Sequence, residues 1–199
     1  MQEFLGVDTS NYTTSLALSR DGEIVKNLKK LLDVKEGQRG LRQSDAVFAH
    51  TVNLPHLFDE MGRISPAAVG VSVSPRDAEG SYMPCFLAGI SCAAAVASTS
   101  GVPLYRFSHQ AGHIAAALYS CGAEPLIHGR FLAFHVSGGT TELLLSDNMN
   151  ITRLGGTKDI SAGMAIDRTG VLLGMKFPCG KELETVAGDM PEKVKTGKI

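Results

Sequence analysis

The sequence has no concentrated run of basic residues: 19 Lys and Arg stand against 20 Asp and Glu, a net charge of −1. The basic residues between positions 26 and 42 are dispersed among apolar residues, which is typical of a solvated surface. A protein that grips nucleic acid unaided usually carries a concentrated basic face. We therefore expect any RNA partner to be bound with the help of partner subunits or through a local patch.

Cysteine pairs and export signals are also missing. The four cysteines form no C-x-x-C pair, so we interpret them as reduced core residues. The first six residues lack the basic start and apolar core of a signal peptide. The least polar stretch, residues 83–99, is rich in Ala, Ser and Gly and suits a buried helix better than a membrane span. We expect a cytoplasmic protein without a membrane segment.

The apolar residues, 44% of the chain, are arranged as alternating strands and helices. Strands are predicted at 4–7 and 14–18 around a polar turn, and the Asp21-Gly22 hairpin signal leads into a third strand over 23–30. From Ser44 onwards, apolar residues recur at helical spacing and predict a helix. Pro55 is expected to interrupt this helix or to begin a turn. A strand over 67–73, a helix, a strand over 102–107 and a helix capped by Ser108 complete this half.

The second half restarts the design of the first. Strands 131–136 and 142–145 flank the polar turn 137–141, as strands 4–7 and 14–18 flank theirs. This echo predicts a duplicated α/β fold with a cleft between the halves, divided into 1–128 and 129–199. Because few residues follow the second ribbon, we expect the second domain to be incomplete in this chain.

Two histidines, His109 and His113, lie four residues apart on the helix predicted from His109. This spacing lets both imidazoles reach one metal ion. Taken alone the signal is weak, because two hydrogen-bonded surface histidines produce the same pattern. Zinc proteases with this spacing carry Glu after the first His, whereas this chain has Gln110, which disfavours peptide hydrolysis.

The turn at 137–141 is rich in glycine and hydroxyl groups. Its backbone N–H groups are predicted to approach phosphate oxygens, although an ordinary hairpin turn is a serious alternative. No G-K-[ST] follows a glycine-rich turn, so it is not a P-loop. In the first hairpin, Asp8 takes the equivalent place, where it is predicted to orient a metal-bound water or a phosphate-bound cation.

Three further residues are candidates for binding. His135 ends the strand before the glycine turn and is a candidate ligand, or a strand-end histidine that faces solvent. Asp167 lies on a predicted helix, where it either accepts hydrogen bonds from a ribose or remains a surface carboxylate. Gly180 belongs to a predicted tight turn, where the backbone lies close to a ligand or simply turns.

Five segments occur in this order along the chain: residues 6–10 (GVDTS), 108–113 (SHQAGH), 136–143 (VSGGTTEL), 156–167 (GTKDISAGMAID) and 172–180 (LLGMKFPCG). Together they resemble one family, the threonylcarbamoyladenosine synthase proteins (TsaD, formerly glycoprotease or peptidase M22), of the actin-like ATPase superfold with duplicated ribonuclease-H-like domains. The resemblance runs along the whole chain.

The resemblance implies that His109 and His113 hold one iron or zinc ion. It also implies that the segment His135, Val136, Ser137, Gly138 and Gly139 touches the nucleotide part of the substrate, ATP or an acyl-adenylate, and that Asp167 and Gly180 contact its nucleoside. Archaeal-type members have a metal-coordinating Tyr at the position of His135, which makes His135 a replacement ligand. The family's remaining Asp ligand lies downstream of these segments and is absent from this chain.

Several positions depart from the family pattern. Asp8 stands in place of the usual Glu, residues 11–13 in place of Cys-Asp-Glu, and residues 74–76 in place of a Gly-Pro-Gly loop. Thr140 replaces His or Asn, and Ile160 and Met164 replace acidic residues. These departures bear on the reaction more than on the fold, and they indicate a divergent paralogue.

The leading hypothesis is a transferase that moves a threonylcarbamoyl group from its adenylate to an adenine amine of tRNA, with Asp8 as the catalytic residue. The second is a non-catalytic nucleotide-binding scaffold, which the histidine pair disfavours. The third is a metallopeptidase, which Gln110 disfavours. The partners expected are tRNA held through partner subunits, and a second copy or a related actin-fold protein.

Overall fold

The computed structural model describes residues 2–10, 12–33 and 41–188, and the chain divides into two compact units, Met1–Ile127 and His128–Ile199. Residue 11 of the first turn and residues 34–40 of the stretch with dispersed basic residues lie outside this description. The first unit contains β1 Glu3–Asp8, β2 Thr13–Arg20, β3 Glu23–Leu31, α1 Gln43–Met61, β4 Pro66–Ser74, α2 Phe86–Ser100, β5 Leu104–Ser108 and α3 His109–Ser120.

The five strands of the first unit form one mixed sheet in the order β3-β2-β1-β4-β5. Residues of β1 and β2 alternate between buried and partly exposed because one face of the sheet packs against α1 and α2. β1 runs parallel to β4, and β4 runs parallel to β5. The carboxyl ends of these three strands therefore meet at one edge of the sheet, where α/β proteins commonly bind their ligands.

Helix α1 is continuous through Pro55, so the predicted interruption at this residue is wrong. Proline removes the hydrogen bond that residue 55 would donate to the carbonyl of Thr51. Leu54 and Leu57, on either side of Pro55, are each 4% exposed and lie in the core. Burial of this face outweighs the lost hydrogen bond, because tertiary packing supplies most of the stability of a helix in a protein.

The small-residue stretch forms α2, as predicted, and buries Ala93 and Ala97 in the core beneath the sheet. Small side chains allow the helix to lie close to the strands. In the part of the chain that the structure describes, no helix combines the length and the apolar character needed to cross a bilayer.

A one-turn 3-10 helix, Glu124–His128, leads into the second unit, which contains β6 Arg130–Val136, β7 Thr141–Asp147, β8 Asn150–Gly156, α4 Ala162–Leu172 and α5 Gly180–Gly188. The three strands form an antiparallel ribbon in the order β6-β7-β8. Its pairing repeats that of β1, β2 and β3. Gly180, expected in a tight turn, is instead the first residue of α5.

Candidate functional site

The histidine pair is placed by the junction between β5 and α3. Ser108 ends β5, and its hydroxyl oxygen accepts a hydrogen bond from the backbone N of Ala111 over 3.1 Å, which caps the helix. Because the cap starts α3 at His109, His109 and His113 lie one turn apart on the same face. Their Nε2 atoms are 2.9 Å from each other. His113 is exposed and His109 is half-buried.

Asp8 holds the other side of the His109 ring. Its Oδ2 lies 2.9 Å from Nδ1 of His109 and accepts a hydrogen bond of 2.5 Å from the hydroxyl of Ser72. Its Oδ1 accepts a bond of 2.7 Å from the backbone N of Ser10. Burial alone would raise the pKa of Asp8, but the hydrogen bond and charge of His109, with the bonds from Ser10 and Ser72, lower it to about 2.

These residues meet because of the strand order. Asp8 ends β1, Ser72 lies near the end of β4, and His109 follows β5 directly. The three strands are parallel neighbours, so their carboxyl ends come together. Sequence reasoning missed Ser72 and also Ser10, whose hydroxyl lies 3.3 Å from Nε2 of His109. A search for polar residues at the ends of all three predicted strands would have found Ser72.

The donor atoms of the pair fit one metal ion. Two imidazole nitrogens that share an ion, each at about 2.0–2.1 Å from it, lie about 3 Å from each other. Metal-bound histidines usually give their second ring N–H to a carboxylate, as Nδ1 of His109 does to Asp8. When the ring is neutral, this arrangement leaves the lone pair on Nε2 of His109. Across residues 2–10, 12–33 and 41–188, no group of three or more His, Cys, Asp or Glu side chains is arranged to hold a metal. Thus His109 and His113 supply two donors.

The candidate third ligand, His135, belongs to the second unit, and its role stays a prediction. It is half-buried on β6 and pairs in register with Glu142 of β7. Glu142 is 4% exposed, and its Oε1 lies 2.9 Å from Nε of Arg153. Val136, the last residue of β6, is exposed next to the glycine turn.

The glycine turn between β6 and β7 is closed by its own hydroxyl groups. The hydroxyl oxygen of Ser137 accepts hydrogen bonds from the backbone N atoms of Gly139 at 3.3 Å and Thr140 at 3.0 Å, and lies 2.6 Å from the hydroxyl of Thr140. Two of the N–H groups expected to face phosphate are therefore engaged by Ser137. A Cβ placed on Gly138 or Gly139 would find no atom within 4 Å, so a ligand has room to approach the backbone there.

Helix α4 begins against this turn. Ser161 caps the helix by accepting a hydrogen bond from the backbone N of Met164, and its hydroxyl donates to the carbonyl of Gly138 at 2.6 Å. The backbone N of Gly163 donates to the carbonyl of Ser137 at 3.2 Å. A Cβ on Gly163 would lie 2.5 Å from that carbonyl oxygen. Glycine is therefore required at this position for the close approach of α4.

Asp167 and Gly180, both expected to contact a nucleoside, are brought close to each other. Oδ1 of Asp167, on α4, accepts a hydrogen bond of 2.8 Å from the backbone N of Cys179, the residue before Gly180. Asp167 therefore ties α4 to the start of α5. Contact of either residue with a ribose stays a prediction.

The sequence matches a family model over residues 68–198, and that model describes tRNA N6-adenosine threonylcarbamoyltransferase, TsaD. The chain belongs to this family. It is 33% identical over 199 residues to the tRNA N6-adenosine threonylcarbamoyltransferase of Thermus thermophilus, covering 96% of this chain and 58% of that protein. The protein of the same name from Enterococcus faecalis is 32% identical over 92% of this chain and 53% of its own length.

The chain thus spans little more than half the length of these relatives. Among solved structures, a ROK family protein from Streptococcus pneumoniae in complex with sucrose superposes with a TM-score of 0.52 at 14% identity, over 94% of this chain and 68% of that one. This likeness concerns the fold alone. It agrees with the predicted α/β fold of the actin-like ATPase class.

Proposed function

We propose that the protein is a metal-dependent, nucleotide-binding transferase that moves a threonylcarbamoyl group from its adenylate to an adenine amine of tRNA in the cytoplasm. The observation that carries this proposal is the cluster of Asp8, His109 and His113 at the carboxyl ends of parallel strands. It occurs in a chain whose family has members named for that transfer.

In this proposal His109 and His113 hold one iron or zinc ion. When bound, the ion supplies a Lewis acid and a template for the reacting groups. Asp8 fixes the ring orientation of His109 through the bond to Nδ1. Because both oxygens of Asp8 already accept hydrogen bonds, we assign it a positioning role in place of the catalytic one expected from the sequence.

The adenylate is bound, in this proposal, by the segment from His135 to Gly139 and by Asp167 and Gly180. The exposed backbone at Gly138 contacts the phosphate, and the dipole of α4, whose N-terminus lies beside the turn, favours negative charge there. In the transfer, the N6 amine of adenine forms a bond to the carbamoyl carbon, the bond from that carbon to the phosphate oxygen breaks so that AMP leaves with its electron pair, and the proton lost by N6 passes to solvent. The residues of this chain hold the two reactants in place.

Partners follow from the charge of the chain. With a net charge of −1 and no concentrated basic run, we propose that tRNA is held mainly through partner subunits, either a second copy or a related actin-fold protein. A peptidase activity has less support. Gln110 carries an amide where the zinc-protease mechanism needs a carboxylate base, and it is 4% exposed.

Complementation tests the transferase. The whole gene is expressed in cells depleted of their own threonylcarbamoyladenosine synthase, beside variants with His109→Ala and His113→Ala, and the modified adenosine of tRNA is quantified by mass spectrometry. We expect the wild type to restore the modification and the double variant not to. A wild type that binds metal and nucleotide but restores none would point to the non-catalytic scaffold.

A further inference from the structure

Thr9 links the Asp8 turn to helix α2. It lies between Asp8 and Ser10 and is 0% exposed. Its hydroxyl donates a hydrogen bond of 2.9 Å to the carbonyl of Cys85 and accepts one of 3.1 Å from the backbone N of Gly89. The hydroxyl therefore donates to Cys85, the N-cap residue of α2, and accepts from the first turn of this helix.

This link leaves no room for a side chain at residue 89. A Cβ on Gly89 would lie 2.7 Å from Oγ1 of Thr9 and 3.2 Å from its Cγ2. Thr9 is fully buried, so it has little freedom to move aside. In a regular helix the N–H of residue 89 would bond directly to the carbonyl of residue 85. Here the Thr9 hydroxyl bonds to both groups. In a variant without this hydroxyl, the N–H of Gly89 and the carbonyl of Cys85 are placed to bond to each other, so we expect α2 to remain folded.

Thr9 is coupled to the cluster of Asp8, His109 and His113 through its chain neighbours Asp8 and Ser10. The carboxylate of Asp8 reaches across Thr9 to the backbone N of Ser10 at 2.7 Å, which makes residues 8–10 one hydrogen-bonded turn. The other oxygen of Asp8 holds Nδ1 of His109 at 2.9 Å. A displacement of Thr9 would therefore move the carboxylate that orients His109.

We infer that Thr9 and Gly89 are positioning residues that hold Asp8 in place and through it orient His109 for ligand binding. This inference rests on the proposed function, because the ligand in question is the metal held by His109 and His113. Helix α2 contributes no side chain to the cluster of Asp8, His109 and His113. According to the inference, it nevertheless fixes the position of Asp8 and the orientation of the His109 ring.

Cobalt(II) titration of the whole protein, followed by its visible absorption, tests the inference. Four variants are compared with wild type: Thr9→Val and Gly89→Ala, which break the link, Thr9→Ser, which keeps the hydroxyl, and Gly188→Ala, a helical glycine whose Cβ would meet no atom within 4 Å. We expect the first two to weaken binding about 10-fold or more, the loss typical when a residue that supports a metal ligand is changed, and the last two to stay near wild type.

A second measurement separates this inference from the proposed function. In metal-free protein, the imidazole nitrogen NMR signals of His109 report the bond from Nδ1 to Asp8, and we expect them to change in Thr9→Val and Gly89→Ala only. A wild type that binds no cobalt contradicts the proposed function, and the NMR comparison then decides the inference alone. The inference is wrong if both variants fold and match wild type in cobalt affinity and His109 signals, or if both fail to fold.

Discussion

The two units open with the same antiparallel ribbon but use its first turn differently. In the first unit, the turn after β1 is held by distant elements: Thr9 bonds to α2, and Asp8 bonds to β4 and to α3, which begins 101 positions later in the sequence. In the second unit, the turn after β6 is closed mainly by Ser137 and Thr140, three positions apart, and by the start of α4.

This difference separates a site made of side chains from one made of backbone. In the first turn, the carboxylate of Asp8 points at a histidine and needs three other elements to fix it. In the second turn, exposed glycine backbone is presented, and short-range hydroxyl bonds suffice to shape it. We therefore expect changes in the first unit to act on metal binding and changes in the second unit to act on nucleotide binding.

The largest effect is expected from His109→Ala combined with His113→Ala. Removing both imidazoles should abolish metal binding, measured by elemental analysis of the purified protein after dialysis. Because His109 is a hydrogen-bond partner of the Asp8 carboxylate, whereas His113 is exposed, we expect the unfolding free energy to fall by about 1–3 kcal/mol, most of it from the loss of His109. Nucleotide affinity, measured by calorimetry, should remain. Loss of nucleotide binding in this variant would break the proposed division of roles.

The next effect is expected from Gly163→Ala. The new Cβ would lie 2.5 Å from the carbonyl oxygen of Ser137 and 2.7 Å from the backbone of Gly138. Backbone cannot move aside as a flexible side chain can, so α4 should shift at a cost of about 1–3 kcal/mol. Urea unfolding measures the loss, and calorimetry should show weaker nucleotide binding. Gly188→Ala in α5 is the matched control, and equal behaviour of the two variants would contradict the close approach.

A smaller effect is expected from Ser137→Ala. It removes the oxygen that accepts hydrogen bonds from the N–H groups of Gly139 and Thr140, at a cost of about 1 kcal/mol. Hydrogen exchange of those two amides should become faster, with little change elsewhere. Ser98→Ala, at an exposed position of α2, serves as the control. Unchanged exchange at Gly139 and Thr140 would show that α4 alone shapes the turn.

Much of the fold and the histidine pair of the candidate site could be predicted from the sequence, because the patterns that indicate them are local. Alternation of apolar residues located both ribbons, and Ser108 followed by His109 located the start of α3 together with the histidine spacing. The error at Pro55 arose because a local rule was outweighed by burial of Leu54 and Leu57. Ser72, Thr9 and Gly89 escaped because their importance comes from contacts 64 to 80 positions apart, which only the order of the strands and the packing of α2 create.

The smallest effect concerns the opposite end of β1. Glu3 accepts hydrogen bonds from the backbone N of Ser65 and from Arg20, and these two contacts, in this order, lower the pKa of its carboxyl. A lowered pKa in the folded state means that this stabilisation is present above the ordinary value of 4.5 and is lost as the pH falls through the lower, folded value. Glu3→Gln should therefore lower the thermal midpoint slightly at pH 7, and the difference from wild type should vanish in acid. Glu184→Gln on α5, an exposed carboxylate, should show no such difference at either pH, and a Glu3→Gln difference that persists in acid would indicate lost packing rather than lost charge.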